Sequence, residues 1–586
     1  MFIKVTSAYA LVLLALGCTI VISLIPTYLP AREISEALPT KSQVQNVELR
    51  FVSSSGRDLF DAFSVQKQMQ NALPKDISTT VLVLNVTQST ISTLFVRYQL
   101  VFNRSCRKRC QLQILALAHL RFASLIINLG EISFDEVTGD ISKISEYWAN
   151  IRPYVDNPPT IFGVTETDLP TGCQIEQVHV LHRHGARYPT SDPFDGGNIK
   201  RFAEKINQNT KNFFGSLAFL NTWSLQLGEE LLVPNGYNAE MISGIDFRNE
   251  YGHILNNAFS KSLLRTSGVN RNYQSTIAWA TGYFGSSNST DQYSILSLGY
   301  QNGSNNTLYG ALACQNLFIP TAFTFNQDEM YSYLAPALLT ATIRFNNNTN
   351  STFVFDHIDA FAMQSLCAYE YSALNSSDFC SLFTLNEWRG FEQALNLAFY
   401  NVYAFGNETG RAQGIGYVEE LLARFQHRLI NISHSSVNST LDSSQTTFPL
   451  NQPFYLDMSH DNNIASVLTA LSIDYFREDL SQTFPPPNDQ HYRVSRMTPF
   501  SARMVTEKIR CQSSSFVRMK LNKGILPLNS IRGGFCSRER QDGLCSIENF
   551  LASQINASTM ANFDYVCFGN YTLDKNVRIT DGTLFP

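Results

Sequence analysis

Charge is scarce in this chain. Asp, Glu, Lys and Arg make up 16% of its 586 residues, and the formal net charge is −5. A charge-poor, weakly acidic chain carries no broad basic field for a phosphate backbone, so no nucleic acid is expected as a partner. Paired CxxC spacing is missing, and no cysteine–histidine cluster has the spacing of a zinc site, so no metal is expected. No internal repeat is found. What remains is a chain long enough for a large core and more than one domain.

The N-terminus is also without charge. Residues 5–31 carry none, between Lys4 and Arg32, and the apolar run from Ala8 to Ile25 is about long enough to span a bilayer. Residues 1–31 read as a secretory signal or as an uncleaved signal-anchor. The first gives a secreted, extracellular or cell-wall protein, the second a membrane tether through residues 5–30. Export agrees with the sequons at Asn85, Asn103, Asn288, Asn302, Asn305, Asn347, Asn350, Asn375, Asn407, Asn431, Asn438, Asn556 and Asn570. With Cys18 set aside, ten of the eleven cysteines remain, an even number suited to disulfides.

Residues 32–145 form an N-terminal extension without a catalytic constellation. "STTVLVLNV" reads as a strand, "LQILALAHLRFASLIINL" as a buried helix or strand pair, and "RSCRKRC" as a basic loop with Cys106 and Cys110. Residues 146–586 are denser globular text. "PYVDNPP" should run extended. "QVHVLH" (177–182) reads as a buried strand. "IKRFAEKINQNTKNFFGSLAFL" is mostly helical in pattern. "PNGYNAEMISGIDFRNEYG" reads as a helix entered at Pro234 and left at Gly252. Tyr273, Ile277, Ala280 and Phe284 share a helical face, which puts Arg271 at that helix's N-terminus. "NEWRGFEQALNLAFYNVYAF" and "YVEELLARFQHRL" are helices of the middle region. "FYLDMS" alternates as a strand and "IASVLTALSI" follows helical spacing, so Ser459-His460-Asp461-Asn462 is a strand-to-helix turn. "RMVTEKIRC" and "SFVRMKLN" read as an antiparallel pair at a sheet edge.

Two turns carry chemistry. In "LHRHGARYP" (181–189), Arg183 and Arg187 present planar forks that match phosphate oxygens, and Gly185 lets the backbone turn and an anion approach. His184 lies between these cations, which favour its neutral, nucleophilic form. Attack on phosphorus gives a phosphohistidine, and the arginines stabilise charge on the equatorial oxygens. The leaving alkoxide needs a proton, for which Asp461 is the candidate. His460, cationic when phosphate is bound, adds a contact. Both turns fall at strand ends, where open α/β sheets bind ligands, and the helices after Arg271 and Asp461 aim positive dipole ends at the same place. Singly, an RHGxR run is a surface loop as readily as a site, and a His-Asp pair is common.

"VLHRHGARYPT" with "SHDN" downstream resembles the histidine acid phosphatases, in the branch containing fungal phytases and yeast secreted acid phosphatases. The resemblance runs from about Tyr147 to the C-terminus and includes "FLNTW", "LVPNGYNAE", "RTSGVNR", "SDFCSLF" and "RMVTEKIRC". It implies an α/β fold: a mixed central sheet flanked by helices on both faces, with a mainly helical subdomain inserted between the two motifs. It implies His184 as nucleophile and Asp461 as proton donor. Arg183, Arg187, Arg271 and His460 become phosphate ligands, and no cofactor is needed. It also implies the disulfides Cys173–Cys511, Cys314–Cys567, Cys367–Cys380 and Cys536–Cys545. The substrate is a small phosphate monoester. Where the similar phytases carry a lysine-rich stretch, this chain reads "TSDPFDGGNIK". Asp192 and Asp195 are expected to form an acidic rim that disfavours phytate, whereas "SHDN" leans towards it. The expected activity is a secreted acid phosphatase, with phytase as the alternative and a catalytically silent cell-surface glycoprotein as a third reading.

Overall fold

The computed structural model describes the backbone at 20–23, 43–52, 79–90 and 93–102, and the chain from 136 to 584 apart from 256–260, 286–288, 319, 351–352, 538–539 and 573–577. The basic run "RSCRKRC", the stretch "LQILALAHLRFASLIINL", and most of the apolar run at Ala8–Ile25 lie outside these residues. Four strands of the extension, β1 (Ile20–Ser23), β2 (Gln43–Val52), β3 (Thr79–Thr90) and β4 (Thr93–Phe102), form an antiparallel sheet in the order β1-β2-β4-β3. "STTVLVLNV" falls on β3.

The second sheet positions the chemistry. Its strands are β5 (Cys173–Arg183), β6 (Ser262–Ser267), β7 (Tyr293–Leu298), β8 (Phe454–Ser459), β9 (Arg503–Cys511), β10 (Ser514–Leu521), β11 (Gly524–Ile525) and β12 (Cys545–Ser546). The order is β11-β10-β9-β5-β8-β6-β7, with β12 on β10. β5, β8, β6 and β7 run parallel, whereas β9 is antiparallel to both β5 and β10. "RMVTEKIRC" is therefore an inner strand rather than an edge. It pairs with β5 because both are buried along most of their length.

Eight longer helices surround this sheet: α1 (Asn198–Gln208), α2 (Pro234–Leu255), α3 (Asn270–Phe284), α4 (Pro320–Ala337), α5 (His357–Leu374), α6 (Leu385–Tyr403), α7 (Gly410–Phe425) and α8 (Asp461–Ala470). α2 starts on Pro234, where the missing N–H costs nothing, and runs through Gly252 to Leu255. The segment after α1 breaks at Asn209 and resumes as a short tight helix at Gly215–Asn221. α5 and α6 each open on a reciprocal capping box, Asp356 with Asp359 and Thr384 with Glu387. One sheet face packs Val178, Val180, Phe454 and Leu456 against Phe247 and Tyr251 of α2 and Trp279 and Tyr283 of α3. The other face turns His179 towards Phe425 of α7, with ring centroids 5.1 Å apart. The alternation of β5 thus serves two helical layers.

Among the described residues four disulfides tie the fold: Cys173–Cys511, Cys314–Cys567, Cys367–Cys380 and Cys536–Cys545. The first joins the directly opposed residues of β5 and β9. Among the described residues no helix is long and apolar enough to cross a membrane. One sequon is corrected by its surroundings. Asn407 is buried; its side chain donates to the Asn401 carbonyl at 2.9 Å and accepts from Thr409, which leaves it no access to a glycan.

Candidate active site

Three parallel strands end side by side. Arg183 of β5 pairs with Ser459 of β8, and the register of β8 on β6 sets Thr266 opposite Met458, one step short of Ser267. Each strand hands over at that level to one part of the site: β5 to His184-Gly185, β8 to His460-Asp461, and β6 through Gly268 and Val269 to α3 with Arg271. A parallel sheet directs all these exits the same way, which is why residues 183, 271 and 461 meet.

The His184 loop is fixed on every side. The His184 N–H donates to the Ser459 carbonyl at 3.2 Å, and its own carbonyl accepts from Ser501 N–H at 3.1 Å. Gly185 N–H donates to Ser275 Oγ of α3 at 3.1 Å. Gly185 is there for closeness: a Cβ would sit 2.6 Å from the Gly236 carbonyl oxygen of α2. The His184 ring has Nδ1 2.8 Å from the Gly185 carbonyl oxygen. A carbonyl only accepts, so Nδ1 carries the hydrogen and Nε2 keeps its lone pair. Burial, and then Arg271, Arg183, His460 and Arg187, hold the imidazole well below its usual pKa. It is neutral across the working range.

The pocket is lined by His184, Arg187, Arg271, His460 and Asp461, with Asn150, Asp192, Asp195 and Tyr309 among the others. Arg183 lies beneath it, fully buried. Its guanidinium donates to the Asn150 carbonyl, donates to the Thr498 carbonyl at 2.8 Å, pairs with Asp461 at 2.7 Å and stacks on Phe500 at 4.4 Å. Arg187 reaches Asp195 at 3.1 Å and Tyr369 Oη at 3.3 Å. Arg271 reaches Glu230 and Tyr300 Oη, both at 3.4 Å. The Nε groups of Arg183, Arg187 and Arg271 are buried with no protein acceptor.

Asp461 opens α8. Its carboxylate accepts from Asn150 Nδ2 at 3.0 Å and from Asn462 N–H at 2.9 Å. Burial pushes its pKa up, but Arg183 and Arg187 outweigh that and hold it below the usual carboxylate value. His460 faces His184 edge-on at 5.5 Å, with Tyr309 at 4.6 Å on its other side and Ser267 Oγ 3.2 Å from Nε2. Burial, then Arg271, depress its pKa well below the ordinary value, more than Asp461 raises it. Without an anion in the pocket, a further buried cation beside the arginines is unfavourable, which favours the neutral ring.

All six expected residues meet here. Asp195 does not behave as a rim charge. It turns inward, accepting from Arg187, Thr190 N–H and Thr190 Oγ1. Only Asp192 remains as a mouth carboxylate, and it forms no ion pair among the described residues. Its pKa is raised by burial and then by Asp195. Asn150, which ties Arg183 to Asp461, was not anticipated. It lies in "YWANIRPYV", a stretch with no motif, and becomes significant only because the chain folds back 311 residues to Asp461. Among the described residues no group of His, Cys, Asp and Glu could hold a metal.

A pocket with a histidine, two arginines in its wall and a third beneath it, and a carboxyl, at the ends of parallel strands, defines a phosphomonoesterase architecture. Residues 174–522 match the family model of the histidine phosphatase superfamily (branch 2). Phytase A of Aspergillus oryzae is 30% identical over 438 residues, covering 72% of this chain and 91% of that protein. Phytase A of Aspergillus fumigatus is 31% identical over 433 residues, covering 70% and 87%. The crystal structure of the phytase from D. castellii superposes with a TM-score of 0.58 at 25% identity, covering 73% of this chain and 88% of that one. The chain belongs to the histidine phosphatase superfamily, branch 2. It is a phosphoric monoester hydrolase, with the activity of a histidine acid phosphatase or phytase.

Proposed function

We propose that the protein is a secreted acid phosphatase of broad monoester range, acting through a phosphohistidine at His184. The observation that carries this is the Nδ1–H to Gly185 carbonyl bond, which leaves Nε2 free in the pocket between Arg187, Arg271 and His460. Nε2 attacks phosphorus in line, the P–O bond to the alcohol breaks, and the alkoxide takes a proton from Asp461. Arg183, Arg187 and Arg271 hold the three non-bridging oxygens, and His460 donates a ring N–H to one of them from the side. Water then attacks the phosphohistidine, giving its proton to the Asp461 carboxylate as His184 leaves with its lone pair restored.

Asp461 is held ionised by Arg183 in the free pocket, yet it must arrive protonated. Substrate supplies the correction. A phosphate anion adds negative charge beside Arg183 and Arg187, offsets their pull, and raises the carboxyl. Acidic medium completes the loading, which fits an acid phosphatase. Four disulfides suit an exported protein. Residues 1–31 as a signal and 146–586 as the catalytic unit remain part of this reading.

Phytase is the second reading, favoured by the Phytase A relatives. Against it, no lysine lines the pocket, and Asp192 stands at its mouth. The test is phosphate release at pH 5 from glycerol phosphate and from phytate, with acid-quench trapping of labelled enzyme. Label on His184 and better use of glycerol phosphate are expected. Label on another side chain contradicts the mechanism, and a preference for phytate replaces the first reading by the second.

A further inference from the structure

The pocket has a wall that the phosphate chemistry does not use. Leu395, Phe399 and Tyr403 of α6 all line it. They stand four residues apart, so they form one stripe along a single helix face. Phe399 and Tyr403 meet edge-to-face, with ring centroids 5.4 Å apart. Ile151 and Tyr309 complete the lining around them. Such a stripe is ordinarily core, and Leu395 and Phe399 are indeed 3% and 7% exposed. Here, however, its residues border the cavity that holds His184 and Asp461.

The cations of the pocket are spoken for. Arg187 and Arg271 are needed by the reacting phosphate, and each already has a carboxylate beside it, Asp195 and Glu230. Among the described residues no further cation lines this wall for a second phosphate. An apolar ring, in contrast, gains from leaving water against Phe399 and Tyr403.

We infer that the α6 stripe Leu395–Phe399–Tyr403, with Ile151 and Tyr309, is a leaving-group subsite for an aromatic or apolar alcohol, so that phosphate monoesters of such alcohols are the preferred substrates. This rests on the phosphatase reading above and names its substrate class.

Aryl esters are poor probes, because their leaving groups are intrinsically better. Binding of inert analogues separates affinity from chemistry. Benzylphosphonate and methylphosphonate are compared as competitive inhibitors of glycerol phosphate hydrolysis by the full chain. Benzylphosphonate should bind at least tenfold more tightly. Phe399→Leu, which keeps an apolar core residue, and Tyr403→Leu should each shrink that ratio to below about threefold, with the loss falling mainly on the benzyl compound. A wild-type ratio near one overturns the subsite, and so does a ratio that survives both substitutions. Glycerol phosphate turnover in the same assay reports the phosphatase reading separately. Its absence overturns that reading and the subsite together; turnover with equal inhibition overturns the subsite alone.

Discussion

Two arginine–carboxylate clusters draw on β6 and β8, and they do opposite things. Beneath the sheet's surface, Arg265 of β6 pairs with Asp457 at 2.6 Å and with Glu420 at 2.5 Å, and Arg424 pairs with Asp457 at 2.9 Å. These groups are buried, and each carboxylate faces cations at short range. Three to four residues beyond Asp457, past the end of β8, the second cluster borders the pocket: Arg183 pairs with Asp461 at 2.7 Å, but the pairing at Arg271 is looser. Arg271 and Glu230 are 3.4 Å apart, and Glu230 is half exposed. A cluster enclosed in the core holds its elements together, whereas one that lines a cavity is open to an anion. Composition cannot tell the two apart: "RTSGVNR" contains one arginine of each kind, Arg265 and Arg271.

The sharpest break between the clusters is His184→Ala. Turnover of every monoester should fall to background, because the group that attacks phosphorus is gone, while circular dichroism should still report a folded protein. Residual burst kinetics with label on another residue would remove His184 from the role.

Asp461→Asn should come next, with a loss of about 10²–10⁴-fold for alcohol esters and a smaller one for nitrophenyl phosphate, whose leaving group needs no proton. Equal losses for both would deny it the acid role. In the other cluster, Asp457→Asn should leave Arg265 and Arg424 undercompensated. Asp457 is held below the usual carboxylate range despite burial, because those arginines outweigh it. Denaturant titration should read a loss of about 3–5 kcal/mol, with activity per folded molecule retained. A stable but inactive variant would erase the distinction between the clusters.

Glu240 sharpens the comparison from beneath the catalytic loop. It is fully buried 3.6 Å from His182 Nδ1, and burial pushes its pKa up to about 8 against the opposing pull of Ser501, Arg503 and Arg183. The folded protein therefore keeps this proton while the unfolded chain loses it above the ordinary glutamate value. Between about pH 4.5 and 8 the group costs stability at up to about 1.4 kcal/mol per pH unit, and below that window it costs nothing. Glu240→Gln should flatten the decline in melting temperature across that window. An unchanged slope would mean the carboxyl is ionised in the folded state.

The smallest effect is at the mouth. Asp192→Lys should improve phytate kcat/KM by about fivefold over glycerol phosphate at low salt, since an exposed charge counts for ~1 kcal/mol. Equal effects on both substrates would clear Asp192 of any part in selectivity.

Several elements were legible because their signals are local. The alternation of "QVHVLH" and "FYLDMS", the Pro234 start of α2 and the turn at His460-Asp461 all follow from short-range periodicity and capping. "RMVTEKIRC" was legible as a strand but not as an inner one, because edge or centre depends on which neighbours arrive. Gly252 read as a stop because glycine costs helix, yet packing on α3 carries α2 through it.

By itself the sequence determined the chemistry available: a histidine among arginines after one strand, a His-Asp turn after another, and cysteines in even number for disulfides. Side-chain type and spacing along the chain are enough for that, since nucleophile, cation and acid are properties of residues. Only the tertiary structure decided which groups share a cavity. It turned Asp195 inward onto Arg187, kept Arg265 in the core, buried His460 beside the arginines, brought Asn150 to Asp461, and set the α6 stripe against the pocket. Those outcomes depend on desolvation and on contacts between residues hundreds of positions apart, and neither quantity exists until the chain has folded.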